Sequence, residues 1–110
     1  MWFIFPQIRG LGHSPTSQFY AIKNREEALS YINHPILGRR LLECAEIILA
    51  IEGRTAFEIF GAPDDMKLKS SVTLFSCVAE PDSLFVGILR KYFIGEQDSR
   101  TLQMLKQAAF

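Results

Sequence analysis

Apolar side chains recur every three or four residues along most of this 110-residue chain, and this spacing is the strongest constraint on its fold. It matches the 3.6-residue period of a helix packed along one side rather than the two-residue period of a strand. Sustained two-residue alternation and an Asn-Gly hairpin signal are both missing from the sequence. The sequence therefore predicts an all-α protein. The clearest stripes are Leu37, Leu41, Cys44, Ala45, Ile48 and Ile51, and Leu84, Phe85, Ile88, Leu89, Tyr92 and Phe93.

Prolines, glycines and capping residues divide the chain into short segments. Ser14 and Pro15 predict a short helix to about residue 22, and Asn24 predicts the start of the next one. The pair His34-Pro35 precedes the longest helix, expected over about 35–52, and 55–61 is expected to form one or two turns. Later helices are expected from Pro63 to the region of Pro81, from Ser83 to Gly95 and from Asp98 onward. We predict one domain, residues 1–110, that is a bundle of five to six short helices.

Composition excludes several classes of partner. Twelve basic and twelve acidic residues give a net charge of zero, which argues against nucleic-acid and anionic-membrane binding. The apolar opening, residues 1–5, is too short for a secretory signal, and no window reaches the roughly 18 apolar residues of a membrane span. Cys44 and Cys77 have no metal or redox spacing and are expected to pack as small buried hydrophobes. We therefore expect a cytoplasmic protein.

The segment 61–75 carries the most suggestive polar cluster. Helical geometry places Asp64, Lys67 and Ser71 on one stripe, with Ser70 beside Lys67. A glycine turn that leads into a helix exposes free N–H groups, which attract anions. These residues could hold a phosphate or carboxylate. A structural interpretation stays open, in which the two aspartates complement the helix N-terminus and Asp65 pairs with Lys69 on the surface for ~0.3–0.5 kcal/mol.

Gln7 places an amide directly after an apolar run. It can provide directional recognition in an apolar pocket walled by Trp2 and Phe5. Alternatively, it bonds the backbone of the following glycine-rich bend. With His13 and His34 as its two histidines, the sequence predicts no metal site and no cofactor, and His34 is expected to bond a backbone group at a helix boundary.

Three ordered motifs resemble a bacterial family of unknown function. They are WFIFPQ at residues 2–7, HPxLGxRL at residues 34–41 and IFGxPDDxKxxSSxTLF at residues 59–75. The resemblance runs from Trp2 to about Leu105 and implies an all-helical fold. Some members of that family carry the label "calpastatin", which we regard as a misannotation.

The resemblance also bears on the apolar opening. Typical members carry one further helix-containing segment upstream, so we expect that N-terminal helix to be absent here. Its loss would uncover part of residues 1–5, and an exposed apolar cluster of that size favours a homodimer. A fainter similarity to the NADAR family, which acts in ADP-ribose chemistry, rests on residues 20–23 and on the pattern over 91–105. It transfers no catalytic residue.

Three functions are consistent with the sequence, which assigns no reaction. The first is a pocket for a small anionic or nucleotide-like ligand. The second is a non-enzymatic protein-interaction module, and the third is an enzyme of ADP-ribose or nucleotide chemistry. The residues predicted to bind the ligand are Trp2, Gln7, Asp64, Lys67, Ser70 and Ser71.

Overall fold

The computed structural model describes residues 4–12 and 14–108, and their regular structure is helical. Within this part of the chain an isolated parallel bridge between Ile8 and Ile22 is the one strand-like pairing. The predicted all-α class is therefore confirmed. The helices number seven rather than five to six, because two segments of five and six residues form separate helices. They are α1 (Pro15–Tyr20), α2 (Arg25–Asn33), α3 (Leu37–Ala50), α4 (Ala56–Phe60), α5 (Asp64–Ser76), α6 (Leu84–Phe93) and α7 (Ser99–Gln107).

Four helices begin with a capping side chain, at the predicted residues Asn24, Ser83 and Asp98 and also at Thr55, which was not predicted as a cap. The side chains of Asn24, Thr55, Ser83 and Asp98 each accept a hydrogen bond from the backbone N–H three residues later. Each bond satisfies one of the N–H groups that a helix leaves unpaired at its start. None of the helices over 4–12 and 14–108 is long and apolar enough to span a bilayer.

The junction between α2 and α3 explains one of the sequence motifs. His34 Nδ1 accepts hydrogen bonds from the N–H groups of Ile36 (3.2 Å) and Leu37 (3.1 Å), which confirms its predicted structural role. A Cβ atom at Gly38 would lie 1.8 Å from the carbonyl oxygen of Ile32. Glycine is therefore required at this position, because the end of α2 packs directly on the first turn of α3.

Helix α5 lies at the centre of the bundle and packs against α2, α4, α6 and α7. Its apolar side chains Leu68, Val72 and Phe75 are fully buried. The Phe75 ring lies 5.5 Å from the rings of both Tyr31 and Phe85, which joins α2, α5 and α6 in one core. Helix α5 thus positions the four helices that pack against it.

Two expectations about side chains were wrong. Lys69 does not pair with Asp65; its Nζ lies 2.8 Å from Glu96 Oε1, and Asp65 accepts the N–H of Met66 instead. The reason is tertiary, since the Lys69 side chain is only 11% exposed and packs over the Phe93 ring. The thiols of Cys44 and Cys77 are free but half-buried rather than fully buried.

The hydrogen bonds at the start of α4 predict that the stability of the protein depends on pH through Glu58. Thr55 N–H donates to Glu58 Oε1 (2.9 Å), and this backbone bond, followed by the bond to the Thr55 side chain, lowers the pKa of Glu58 from 4.5. Because the folded-state pKa is depressed, the stabilisation is present above pH 4.5 and is lost as the pH falls below that value. We expect Glu58→Gln to lower the urea midpoint at pH 6 and to approach the unsubstituted protein at pH 3. In a Thr55→Ala background most of the loss at pH 6 should persist, because the larger contribution comes from the backbone N–H of residue 55, which alanine retains. An equal loss at both pH values would contradict the assignment.

Candidate functional site

A cavity of about 300 Å³ lies where the N-terminal segment, the first turns of α5 and the start of α7 meet; we call it the first cavity. Its polar groups come from these three segments, which are far apart in sequence, and its apolar wall comes from the N-terminal segment and the start of α5. The lining residues are Gln7, Leu11, Pro63, Met66, Lys67, Ser70, Asp98 and Arg100.

Helix α5 supplies Lys67 and Ser70, which are one turn apart on the same side of the helix. Lys67 Nζ lies 3.2 Å from Asp64 Oδ1, and its side chain is 21% exposed. Ser70 Oγ donates to the carbonyl oxygen of Met66 (3.1 Å) and therefore presents its lone pairs to other donors. The cavity thus has one largely covered cation and one hydroxyl acceptor on this wall.

Helix α7 supplies Arg100, and a buried hydrogen-bond network holds the helix in place. The Asp98 N–H donates to Thr73 Oγ1 of α5 (2.9 Å). Asp98 Oδ2 accepts from both the N–H (2.9 Å) and the Oγ1 (2.5 Å) of Thr101. The Asp98 carboxylate is therefore hydrogen-bonded within its own helix. Arg100 is exposed, and among the described residues its guanidinium makes no hydrogen bond or ion pair.

The N-terminal segment supplies Gln7. Its carbonyl oxygen accepts the Ile22 N–H (2.9 Å), and the Arg9 N–H donates to the Ile22 carbonyl (2.7 Å). Neighbouring residues of an extended backbone point to opposite sides, so Gln7 faces the cavity while Ile8 is buried in the core. The Tyr31 hydroxyl of α2 donates to the Ile4 carbonyl (3.2 Å), and its burial raises the pKa of Tyr31.

The structure brings three of the six predicted ligand-binding residues to the first cavity: Gln7, Lys67 and Ser70. Asp64 contacts Lys67 but lines a neighbouring apolar groove, and Phe5, predicted to wall the Gln7 pocket, also lies in that groove. Ser71 is fully buried in the core and lines none of these cavities. Trp2 lies outside the described residues.

Sequence reasoning missed Arg100, Asp98 and the apolar wall. Asp98 was expected as a cap, and an arginine two residues after a cap is a signal for an exposed cation at a helix start. No local pattern shows that the start of α7 meets α5, because that contact depends on the bond between Asp98 and Thr73.

Two further concavities adjoin this region. A second cavity of about 720 Å³ lies on the other side of Gln7, lined by Gln7, Ile8, Arg9, Gly10, Gly12, Gln18, Phe19, Ala21, Lys23 and Glu27. An apolar groove of about 390 Å³ is lined by Ile4, Phe5, Cys44, Ile47, Ile48, Ile51, Ile59, Phe60 and Asp64. The described residues contain no group of three histidines, cysteines or acidic residues placed to hold a metal ion.

Two buried hydroxyls near the first cavity differ in a way that can be measured. Ser71 Oγ has no hydrogen-bond partner, whereas Thr101 Oγ1 donates to the Asp98 carboxylate. A hydrogen bond to a charged group contributes about 1.5–3 kcal/mol, whereas a buried hydroxyl without a partner costs about 1–3 kcal/mol. We expect Thr101→Val to lower the free energy of unfolding in urea by about 1.5–3 kcal/mol, and Ser71→Ala to leave it unchanged or raise it. A comparable loss in both variants would show that Ser71 is hydrogen-bonded.

The chain was compared with known proteins. A family model described as "Protein of unknown function (DUF1810)" matches residues 1–105. A crystal structure of the conserved hypothetical protein Rv1873 from Mycobacterium tuberculosis is similar at 48% sequence identity and a TM-score of 0.92. The similarity covers 96% of this chain and 75% of that chain. No curated protein matches at a significant level.

The predicted resemblance to a family of unknown function is confirmed, because the family match covers nearly all of the chain and all three of its motifs. This chain belongs to the DUF1810 family.

Proposed function

We propose that this chain binds a small ligand carrying a phosphate or carboxylate group in the first cavity. The observation that supports the proposal most is the approach of Lys67 and Arg100 to one concavity, together with the amide of Gln7. Arg100 has no partner among the described residues, so its charge is available to an anion.

The two cations have different parts in such a site. The Arg100 guanidinium is a planar fork that matches a phosphate or carboxylate with two parallel hydrogen bonds. Lys67 is a largely covered point charge, and a ligand anion would share it with Asp64 at 3.2 Å. Shielding from water strengthens the attraction between this ammonium group and a bound anion.

The remaining lining residues favour a ligand that also has hydroxyl groups. Ser70 donates its proton to Met66 and therefore offers an acceptor to a ligand hydroxyl. The Gln7 amide has both donor and acceptor atoms, and Leu11 with Pro63 provides an apolar surface. A volume of about 300 Å³ is at the lower end of the range for ligand pockets, which suits a phosphorylated or carboxylated metabolite.

The competing structural interpretation is that Lys67 and Asp64 only pair with each other. A partly exposed ion pair adds roughly 0–1 kcal/mol to stability, so replacing Lys67 should leave the fold intact under either interpretation. Ligand binding, rather than stability alone, therefore separates the two.

The test is a thermal-stability screen with phosphate, ribose 5-phosphate, citrate and ADP-ribose, followed by calorimetric titration. A ligand at about 100 times its dissociation constant adds about 2.7 kcal/mol of stability. Loss of a charge-assisted hydrogen bond should weaken binding about 10- to 150-fold in Lys67→Met and in Arg100→Met.

The matched control is Arg90→Met, which removes an exposed arginine near the end of α6. This residue lines neither the first cavity nor its two neighbours. We expect it to bind as the unsubstituted protein does. The proposal is wrong if no anion in the screen raises stability, or if the variants at Lys67 and Arg100 bind with unchanged affinity.

A second function, self-association, is supported by the apolar groove. We propose that a second copy of the chain covers it, because its lining is almost entirely apolar and includes Ile4 and Phe5 of the N-terminal segment. Ile47 is 64% exposed on its wall, and a net charge of zero gives little repulsion between copies.

Sedimentation velocity at ~10–200 μM tests this second function. We expect a dimer that Ile47→Glu converts to a monomer, since a carboxylate cannot be buried in an apolar interface without a large cost. The control is Ile36→Glu, which changes an isoleucine that is equally exposed at 62% but does not line the groove. A monomer at every concentration would rule out the dimer.

A further inference from the structure

We propose that the ligand of the first cavity is a nucleotide, whose base lies in the second cavity against Phe19 while its phosphate lies at Lys67 and Arg100. This inference rests on the function proposed above and names the ligand class. It is carried by the side chains of the second cavity and by the residue that the two cavities share.

Phe19 is the first observation. Its side chain is 81% exposed although it lines a cavity that is otherwise mostly polar. The neighbouring Tyr20 ring is perpendicular to it, with centroids 5.0 Å apart and an interplanar angle of 84°, an arrangement that leaves at least one face of the Phe19 ring available for stacking. A large aromatic residue left open in a polar concavity suits a flat aromatic ligand group, because every base has a π-face that stacks on it.

The charges around Phe19 are the second observation. Ile8 and Ile22 are buried side by side in the parallel bridge, so the adjacent residues Arg9 and Lys23 face away from the core. Both line the second cavity and are exposed, and neither makes an ion pair within the described part of the chain. They can hydrogen-bond a base or a sugar and attract the ligand's negative charge.

Glu27 lines the same cavity and favours a nucleotide over a bare polyphosphate. Its carboxylate repels a second phosphate but accepts hydrogen bonds from ribose hydroxyls or from an exocyclic amino group. A cavity with cations, a carboxylate and an exposed ring thus matches a base attached to a sugar.

The shared wall is the third observation. Gln7 lines both cavities, and in the bend that follows it Leu11 lines the first while Gly10 lines the second. Gly10 has φ +105°, and a Cβ there would lie 3.1 Å from Met104 Sδ of α7. Glycine therefore allows the bend to pack closely against α7. The two cavities are therefore adjacent at Gln7, and a ligand that occupies both would cross beside this residue.

The experiment compares AMP, GMP, CMP and UMP with ribose 5-phosphate by calorimetric titration. Ribose 5-phosphate carries the sugar and phosphate without a base. We expect the best nucleotide to bind about 5- to 150-fold more tightly, which is the contribution of one stacked base. Phe19→Ala should abolish that difference and leave the affinity for ribose 5-phosphate unchanged. Phe57→Ala, which removes another exposed phenylalanine outside both cavities, should change neither affinity.

The outcomes separate the two proposals. If ribose 5-phosphate binds through Lys67 and Arg100 and no nucleotide binds more tightly, the inference about the base is wrong and the anion site stands. The inference also fails if Phe19→Ala weakens ribose 5-phosphate and the nucleotide equally. If none of the five compounds binds, the inference about the nucleotide is wrong, and the anion site is wrong as well if phosphate, citrate and ADP-ribose also fail to raise stability. Because Phe19 is exposed, its replacement does not threaten the fold.

Discussion

The burial of α5 is the constraint on which the rest of the structure depends. The helix packs against four others, yet Ser70, Ser71 and Thr73 lie within its buried part. A buried hydroxyl without a partner costs about 1–3 kcal/mol. Ser70 donates to Met66 of its own helix, and Ser71 Oγ has no partner. Thr73 obtains its partner from the Asp98 N–H at the start of α7, outside its own helix. The bond that satisfies the Thr73 hydroxyl therefore also holds the start of α7 against α5.

The candidate site follows from the same constraint. Helix α5 is enclosed over its last two turns but reaches the surface at its N-terminal end, where Lys67 is only partly covered. The bond between Asp98 and Thr73 places the first turn of α7, with Arg100, beside that end. The pairing of Gln7 and Arg9 with Ile22 brings the N-terminal segment to the same place. Two charges and an amide thus meet there without any local sequence motif that links them.

The sequence was sufficient to predict interactions between residues within one helical turn. It was insufficient to predict interactions between residues far apart in the chain. Caps at Asn24, Ser83 and Asp98 act within three residues, so their side chains could be assigned from sequence. Lys69 was assigned to Asp65 by helical spacing, but its partner is Glu96, which is 27 residues away. The same limit explains why Lys67 and Ser70 were found and Arg100 was not. It also explains why Phe19 was not recognised, since its exposure depends on how α1 lies against the rest of the chain.

Ser70 and Ser71 show why helical spacing alone cannot assign a site. The two residues are adjacent, but a helix turns by about 100° per residue, so their side chains point in different directions. The predicted stripe passed through Lys67 and Ser71, whereas the position of Gln7 makes Ser70 the one that lines the cavity. Ser71 is left buried without a partner, a local departure from the rule that buried polar groups are paired. Phe19 departs in the opposite sense, as an exposed aromatic side chain. Natural proteins tolerate such departures mainly at functional or strained sites. Phe19 lines the second cavity, and Ser71 directly follows Ser70, which lines the first.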